Sequence, residues 1–462
     1  MADESALPKA ALAERFAAWV EATSAKDVPG TVRAAATNAL LDFCGLCVSA
    51  RGEDYVKAAI GSWDGTGDAT AIGHAQQIDA AGAAFVNGTA AHGEDYDDTF
   101  EGTPVHTGAV ILPAVLAAAE RYGRSGADAL RGIAVGTEFM CRMALVTTTG
   151  IHRAGFHPTS VIGALGAAVA VGATLGCTAQ QIASALGTAG SMASGIIEYL
   201  AEGTWTKRIH AGWAAQCGLR AALLARAGFV GPRTVIEGSH GFVFAFADRA
   251  VPPNYAAVTD GLGTYWHAAS IAFKPYPCGT MAQPFIDCAL ALAREGVKPA
   301  DVAGMVCEVG EGTVHRLWEP LAEKRAPTSP YSAKFSVPFC IAVALVDRAC
   351  GLGQYTEAKV RDRTVLDLAG RIGYVVDPKN EYPRNYTGHI RATLKDGTVR
   401  EVRQPHLRGG RREPLTAEEL RTKFRANCAF GGWAEPRTAA LEKFCGSLFD
   451  APDLSGLRTF RG

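Results

Sequence analysis

The sequence predicts a mainly α protein: a large all-helical domain drawn from both chain ends, with a smaller α+β domain set between them. Three observations carry this. Apolar residues recur at helical spacing almost without interruption to about residue 265. From about residue 269 to 405 the texture changes to alternating and β-branched runs. Capping signals of a helix then return near the C-terminus.

In chain order, the helical pattern covers 10–23, 32–50, 79–92, 108–122 and 127–146, with further segments to 227. The run 161–177 is nearly all apolar. It is shorter than the roughly 20 residues of a membrane span and rich in Ala and Gly, so it reads as a buried central helix. Gly163, Gly166, Gly172 and Gly176 do not form a dinucleotide loop, since no strand precedes them and no acidic ribose ligand follows. They read instead as places where helices approach closely. Thr178-Ala-Gln-Gln181 and Thr416-Ala-Glu-Glu419 are capping boxes that open helices. Strands are expected at 305–310 and 372–377, and Asp396-Gly397 joins the runs 389–394 and 398–402 as a β-hairpin. The predicted domains are therefore 1–268 with 406–462, and 269–405.

A chain of 462 residues with 48% hydrophobic and 20% charged residues has material for a large core and for about two or three domains. Lys plus Arg at 45 against Asp plus Glu at 46 leaves a net charge of −1, which provides no field for nucleic acid or anionic lipid. Met1-Ala2-Asp3-Glu4-Ser5 is acidic where a secretory signal is basic, so a cytoplasmic location is expected. The twelve cysteines are expected to be reduced and mostly buried. Cys44-Gly-Leu-Cys47 lies in a helical apolar run without a second ligand pair, which points to core packing rather than zinc or redox chemistry.

Three polar clusters interrupt the apolar helices. The densest is Ala91-His92-Gly93-Glu94-Asp95-Tyr96-Asp97-Asp98-Thr99, followed by His106-Thr107-Gly108. Continued helical geometry would put His92, Asp95 and Thr99 on one face. Because apolar helices flank the segment, it reads as buried, where charges need partners or a purpose. Its two histidines and five acids could hold a divalent ion, but they lack EF-hand spacing and an HExxH pair, so no metal is expected. The second cluster, Gly155-Phe156-His157-Pro158-Thr159-Ser160, places His157 at a helix N-terminus, where an anion docks and a neutral imidazole is favoured. The third, Thr204-Trp-Thr-Lys207-Arg208-Ile-His210-Ala-Gly212, sets three basic side chains ahead of an Ala-rich helix and suits a carboxylate.

Together these clusters resemble the MmgE/PrpD family. The resemblance rests on Ala83-Ala84-Phe85-Val86-Asn87-Gly88 leading to Ala91-His92, on Asp95-Tyr96-Asp97-Asp98-Thr99, and on His106 before Val110-Ile-Leu-Pro113. It continues through Gly155-Phe156-His157-Pro158-Thr159, Thr206-Lys207 with His210-Ala-Gly212, Lys274-Pro275-Tyr276-Pro277-Cys278 and Ala333-Lys334-Phe335-Ser336-Val337-Pro338, so that it spans roughly residues 8 to 445. It implies a large helical domain with an α+β lid, a homodimer, and action on small polycarboxylates without metal or organic cofactor. By carry-over, Asp95, Thr99, His106, His157 and Lys207 match active-site positions of the family. Two departures stand out: Gln283 where a histidine is common, and Phe339 where the decarboxylases of the family place an aromatic hydroxyl.

The expected chemistry is proton abstraction next to a carboxylate. Asp95, His106, His157 and Lys207 are expected to be catalytic and to converge, with Lys207 neutralising charge, His106 or His157 moving the proton and Asp95 orienting the imidazole. Thr99, Arg208, His210, Lys274 and Gln283 are expected to bind substrate. A 2-methylcitrate-type dehydration comes first among the reactions, an iminodisuccinate-like epimerisation second and a cis-aconitate-type decarboxylation third. A divergent carboxylate-binding protein is the alternative outside the enzymes.

Overall fold

In the computed structural model, which describes residues 10–103 and 105–462, the apolar periodicity of the first region becomes a stack of helices. They are Leu12–Ala22, Gly30–Ala50, Ala80–Gly93, Gly108–Arg121, Gly126–Thr147, Pro158–Thr174, Ala179–Met192 and Thr206–Arg226. Residues 1–5, which carry the expectation of a cytoplasmic location, lie outside the described residues. No single helix among the described residues is long and apolar enough to cross a membrane.

Ala80–Gly93 and Pro158–Thr174 are buried along their entire length, which is why they show no polar face. Such helices pack closely only where a side chain is missing. A Cβ on Gly212 would lie 2.1 Å from the Phe85 carbonyl oxygen, and one on Gly88 would lie 2.6 Å from the Gly212 Cα. The pair lets the Thr206–Arg226 helix press its backbone onto Ala80–Gly93, and an alanine at 212 would force a repacking that costs about 1–3 kcal/mol. Gly166 plays the same part against Met140, at 2.4 Å, while Gly176 adopts φ +71° and ends its helix instead. The expected capping boxes are present at Thr178 and Thr416.

The chain divides into two units. The first holds the described residues up to Gly93, Asp97–Ile271 and Leu420–Gly462, and the second holds Glu94–Tyr96 and Ala272–Glu419. The return of the C-terminus to the helical unit is anchored by a buried ion pair, Lys423 Nζ to Asp42 Oδ1 at 2.7 Å, and by Phe424 packed over Gly45. Residues 406–419 group with the second unit rather than the first. Arg408 pairs with Asp287 at 3.3 Å, and Gly409, at φ +91°, accepts a hydrogen bond from the Phe273 amide at a spot where a Cβ would clash with that backbone.

The second unit is built on a four-stranded sheet in the order Ile372–Val376, Val302–Val309, Gly388–Leu394, Val399–Gln404. The first pair is parallel and the others antiparallel. The hairpin turns at Asp396-Gly397 as its sequence requires: Gly397 takes φ +86°, and Asp396 Oδ1 accepts from the Thr398 amide at 2.8 Å. Residues of the helices Gln283–Arg294 and Val337–Asp347 supply much of this unit's core. All twelve cysteines are unpaired and buried, including Cys44 and Cys47.

Candidate active site

The acidic segment is buried, as its flanks demand: from Ala91 to Phe100 only Glu94 is partly exposed. It does not continue as a helix. The Tyr55 ring fills the space a Cβ on Gly93 would need, 2.2 Å away, and Asp95 turns the chain with φ +57°. The face predicted for His92, Asp95 and Thr99 therefore does not form. Thr99 is buried in the two-residue strand Thr99–Phe100.

What forms instead in the first unit is a cluster of imidazoles. The His92 and His106 rings lie 5.0 Å apart, His92 stacks on His157 at 5.6 Å, and His157 meets His210 at 5.2 Å. All four are buried. The last turn of Ala80–Gly93 supplies His92, the loop before Gly108–Arg121 supplies His106, and the N-cap of Pro158–Thr174 supplies His157. The first turn and a half of Thr206–Arg226 adds Lys207, Arg208 and His210, all buried.

Hydrogen bonds assign the protons. His106 Nδ1 lies 2.7 Å from the Asp98 carbonyl oxygen, which can only accept, so Nδ1 carries the hydrogen. His92 Nδ1 lies 2.7 Å from Asp97 Oδ2, and Asp97 Oδ1 is 3.5 Å from His106. His157 Nδ1 faces His210 Nδ1 at 3.1 Å, an arrangement in which one ring donates and the other must accept. Two imidazolium ions could not share that contact. Burial first, and then the charges of His210, His92, Lys207 and His106, hold His157 well below the usual histidine range. His210 is pushed down to about 3 by burial and then by His92 and Lys207. The neutral form of His157 expected from the helix dipole thus has burial as its main cause.

Asp98 has a different task. Its carboxylate accepts from the Thr107 hydroxyl at 2.8 Å and from the Gly108 amide at 2.8 Å, so it caps the helix that follows His106. Burial and the neighbouring Asp97 push it up to about 7. Gly108 is required there, because a Cβ would sit 2.4 Å from Asp98 Oδ1.

The carboxylate that meets the imidazoles within the first unit is Asp97. Asp95 belongs to the second unit, where Lys274 Nζ donates to its carbonyl at 2.9 Å and to Oδ1 at 3.0 Å. Lys274 thus forms a buried pair with Asp95 within the second unit. Arg208 stacks its guanidinium 4.2 Å over the Tyr55 ring, a positioning contact beside the helix end at Gly93. Phe339 is a fully buried member of the second unit's core, so its missing hydroxyl bears on packing and not on proton donation. Gln283 is buried in the same unit, with weak contacts from Nε2 to the Tyr276 and Cys278 carbonyls at 3.4 and 3.5 Å.

His92 and Asp97 are a buried pair that sequence spacing did not single out. The available signal was an imidazole and a carboxylate five residues apart across a glycine. His92, Asp97 and His106 also bring ligand-type atoms within 4.8 Å of one another, the spacing of a cation site. The nitrogens that face Asp97 are both Nδ1, and that of His106 already donates to a carbonyl, so the donor set fits proton transfer better than an ion.

Residues 14–253 match the family model described as the MmgE/PrpD N-terminal domain, and residues 276–442 match the MmgE/PrpD C-terminal domain. A cis-aconitate decarboxylase of Aspergillus terreus (strain NIH 2624 / FGSC A1156) is 30% identical over 465 residues, covering 95% of this chain and 93% of its own. The cis-aconitate decarboxylase of Homo sapiens is 31% identical over 387 residues, with 82% of this chain and 78% of its own covered. That of Mus musculus is 30% identical over 355 residues, covering 75% and 71%.

Proposed function

The chain belongs to the MmgE/PrpD family, and on that premise we propose that it is a lyase that decarboxylates a small unsaturated tricarboxylic acid of the cis-aconitate type, without an organic cofactor or metal. The observation that carries the reading is the buried cluster of four imidazoles beside Lys207. The order of the sequence expectations is thereby reversed. Decarboxylation moves ahead of dehydration and epimerisation, because relatives that align with most of the chain bear that name and the objection from Phe339 falls.

The reaction needs little equipment. In a β,γ-unsaturated acid, the electron pair of the breaking carbon–carboxylate bond becomes the new double bond, while the old double bond takes up one proton. The protein must hold the remaining carboxylates, exclude water and deliver that proton. Lys207 supplies a buried positive charge for a carboxylate, with Arg208 adjacent. Neutral His157 and His210 provide polar ring nitrogens without adding the positive charge that would trap the anionic product.

The test is incubation with cis-aconitate in deuterated water, followed by NMR and carbon dioxide release, with citrate and 2-methylcitrate in parallel. One solvent deuterium in a decarboxylated product is expected. Dehydration of the hydroxy acids with no carbon dioxide from cis-aconitate would refute the reading.

A further inference from the structure

Each imidazole of the cluster is held differently, and the differences decide which can deliver a proton. His157 and His210 face each other nitrogen to nitrogen at 3.1 Å, so a proton gained by one is opposed by the other. His106 uses its Nδ1 hydrogen on the Asp98 carbonyl at 2.7 Å and approaches Asp97 at a longer 3.5 Å. His92 alone of the four combines a 2.7 Å bond from Nδ1 to a carboxylate with a buried Nε2 that has no hydrogen-bond partner among the described residues. The side chains of His92 and Asp97 are 0% and 2% exposed, so the pair is shielded from bulk water until the site opens between turnovers.

We propose that His92 is the catalytic proton donor of this site and that Asp97 is its positioning residue; the assignment rests on the decarboxylation reading above. A buried carboxylate on Nδ1 fixes the ring, and in the imidazolium it leaves an Nε2–H aimed away from Asp97. In the reaction that N–H bond breaks and a C–H bond forms at the alkene carbon. The pair of the departing carboxylate's bond becomes the new double bond, carbon dioxide leaves, and the neutral imidazole regains a proton from solvent between turnovers. The rings of His106 and His157 pack directly on His92, and the titratable or charged groups around them include His210, Lys207, Arg208, Asp98 and Asp42.

The test compares the full-length parent with His92→Gln and Asp97→Asn, using cis-aconitate as substrate and melting curves as a check of folding. His92→Gln is expected to lower kcat by about 10²–10⁴-fold with KM nearly unchanged. Asp97→Asn is expected to lower kcat less and to move the pH profile toward acid, an effect that a merely structural role would not produce. Histidine-selective ¹⁵N NMR of the parent is expected to show one far-downfield Nδ1 proton that both variants lack. A folded His92→Gln that keeps kcat within about threefold of the parent overturns the assignment, as does a downfield signal that survives either substitution. A parent inactive on cis-aconitate defeats the functional reading instead, and the NMR comparison then decides the pair alone.

Discussion

One short stretch of chain is used in two opposite ways. In the second unit, Glu94 and Asp95 each meet a buried lysine, Lys334 and Lys274, and full charges cancel. In the first unit, His92 and Asp97 pair with each other amid further imidazoles, two of which, His157 and His210, burial keeps neutral. The lysine pairs set full opposite charges against each other and so serve structure. The imidazole cluster sets ring nitrogens beside one carboxylate, an arrangement suited to proton transfer. Burial is common to both, which means that burial of a polar group does not by itself mark a catalytic site. What marks it is a partner that leaves a proton free to move.

The contrast can be broken most directly by removing His157. His157→Gln is expected to reduce kcat, though by less than His92→Gln does, and to leave the melting temperature unchanged or raised, since burial opposes any charge on that ring. A large loss of stability with normal turnover of the folded fraction would make the cluster structural. Lys274→Met should behave in the reverse sense. It leaves the Asp95 carboxylate buried without its cation, a loss of about 3–5 kcal/mol in urea unfolding, and pairing it with Asp95→Leu should recover most of that loss. If the single variant unfolds like the parent, the ion pair is not structural.

A third, smaller effect concerns acid. The His210 ring sits at about 3, against 6.5 for a free imidazole, so the unfolded chain binds a proton that the folded chain refuses. The stability this neutral ring contributes is whole above pH 6.5 and is lost as pH falls toward 3, at about 1.4 kcal/mol per pH unit. His210→Gln should flatten that part of the stability profile, and an unchanged slope would show that the ring charges without cost. The smallest expected effect is none at all: exhaustive dialysis against a chelator should leave turnover intact. Activity that falls and returns with a divalent ion would turn His92, Asp97 and His106 into a metal centre.

Much of the architecture is legible in the sequence. Helix spacing located the stacked helices, Asp396-Gly397 announced its hairpin, and apolar flanks implied that the polar segment from His92 to Thr99 is buried. The residue types of the site, histidines with a lysine and an aspartate, were also in view. Spacing identifies neighbours only while the backbone stays periodic, and here it stops at Gly93. Beyond that point the Tyr55 ring and the left-handed turn at Asp95 decide direction, so Asp95 goes to Lys274 and Asp97 to His92. Phe339 shows the same limit, since an aligned position says nothing of whether the side chain faces a site or a core. The helical class, the second α+β unit and the chemical inventory follow from local features, because periodicity, capping and turn chemistry are local. Which carboxylate meets which imidazole follows from packing, because that depends on helix ends meeting through glycines such as Gly88 and Gly212, far apart in the chain.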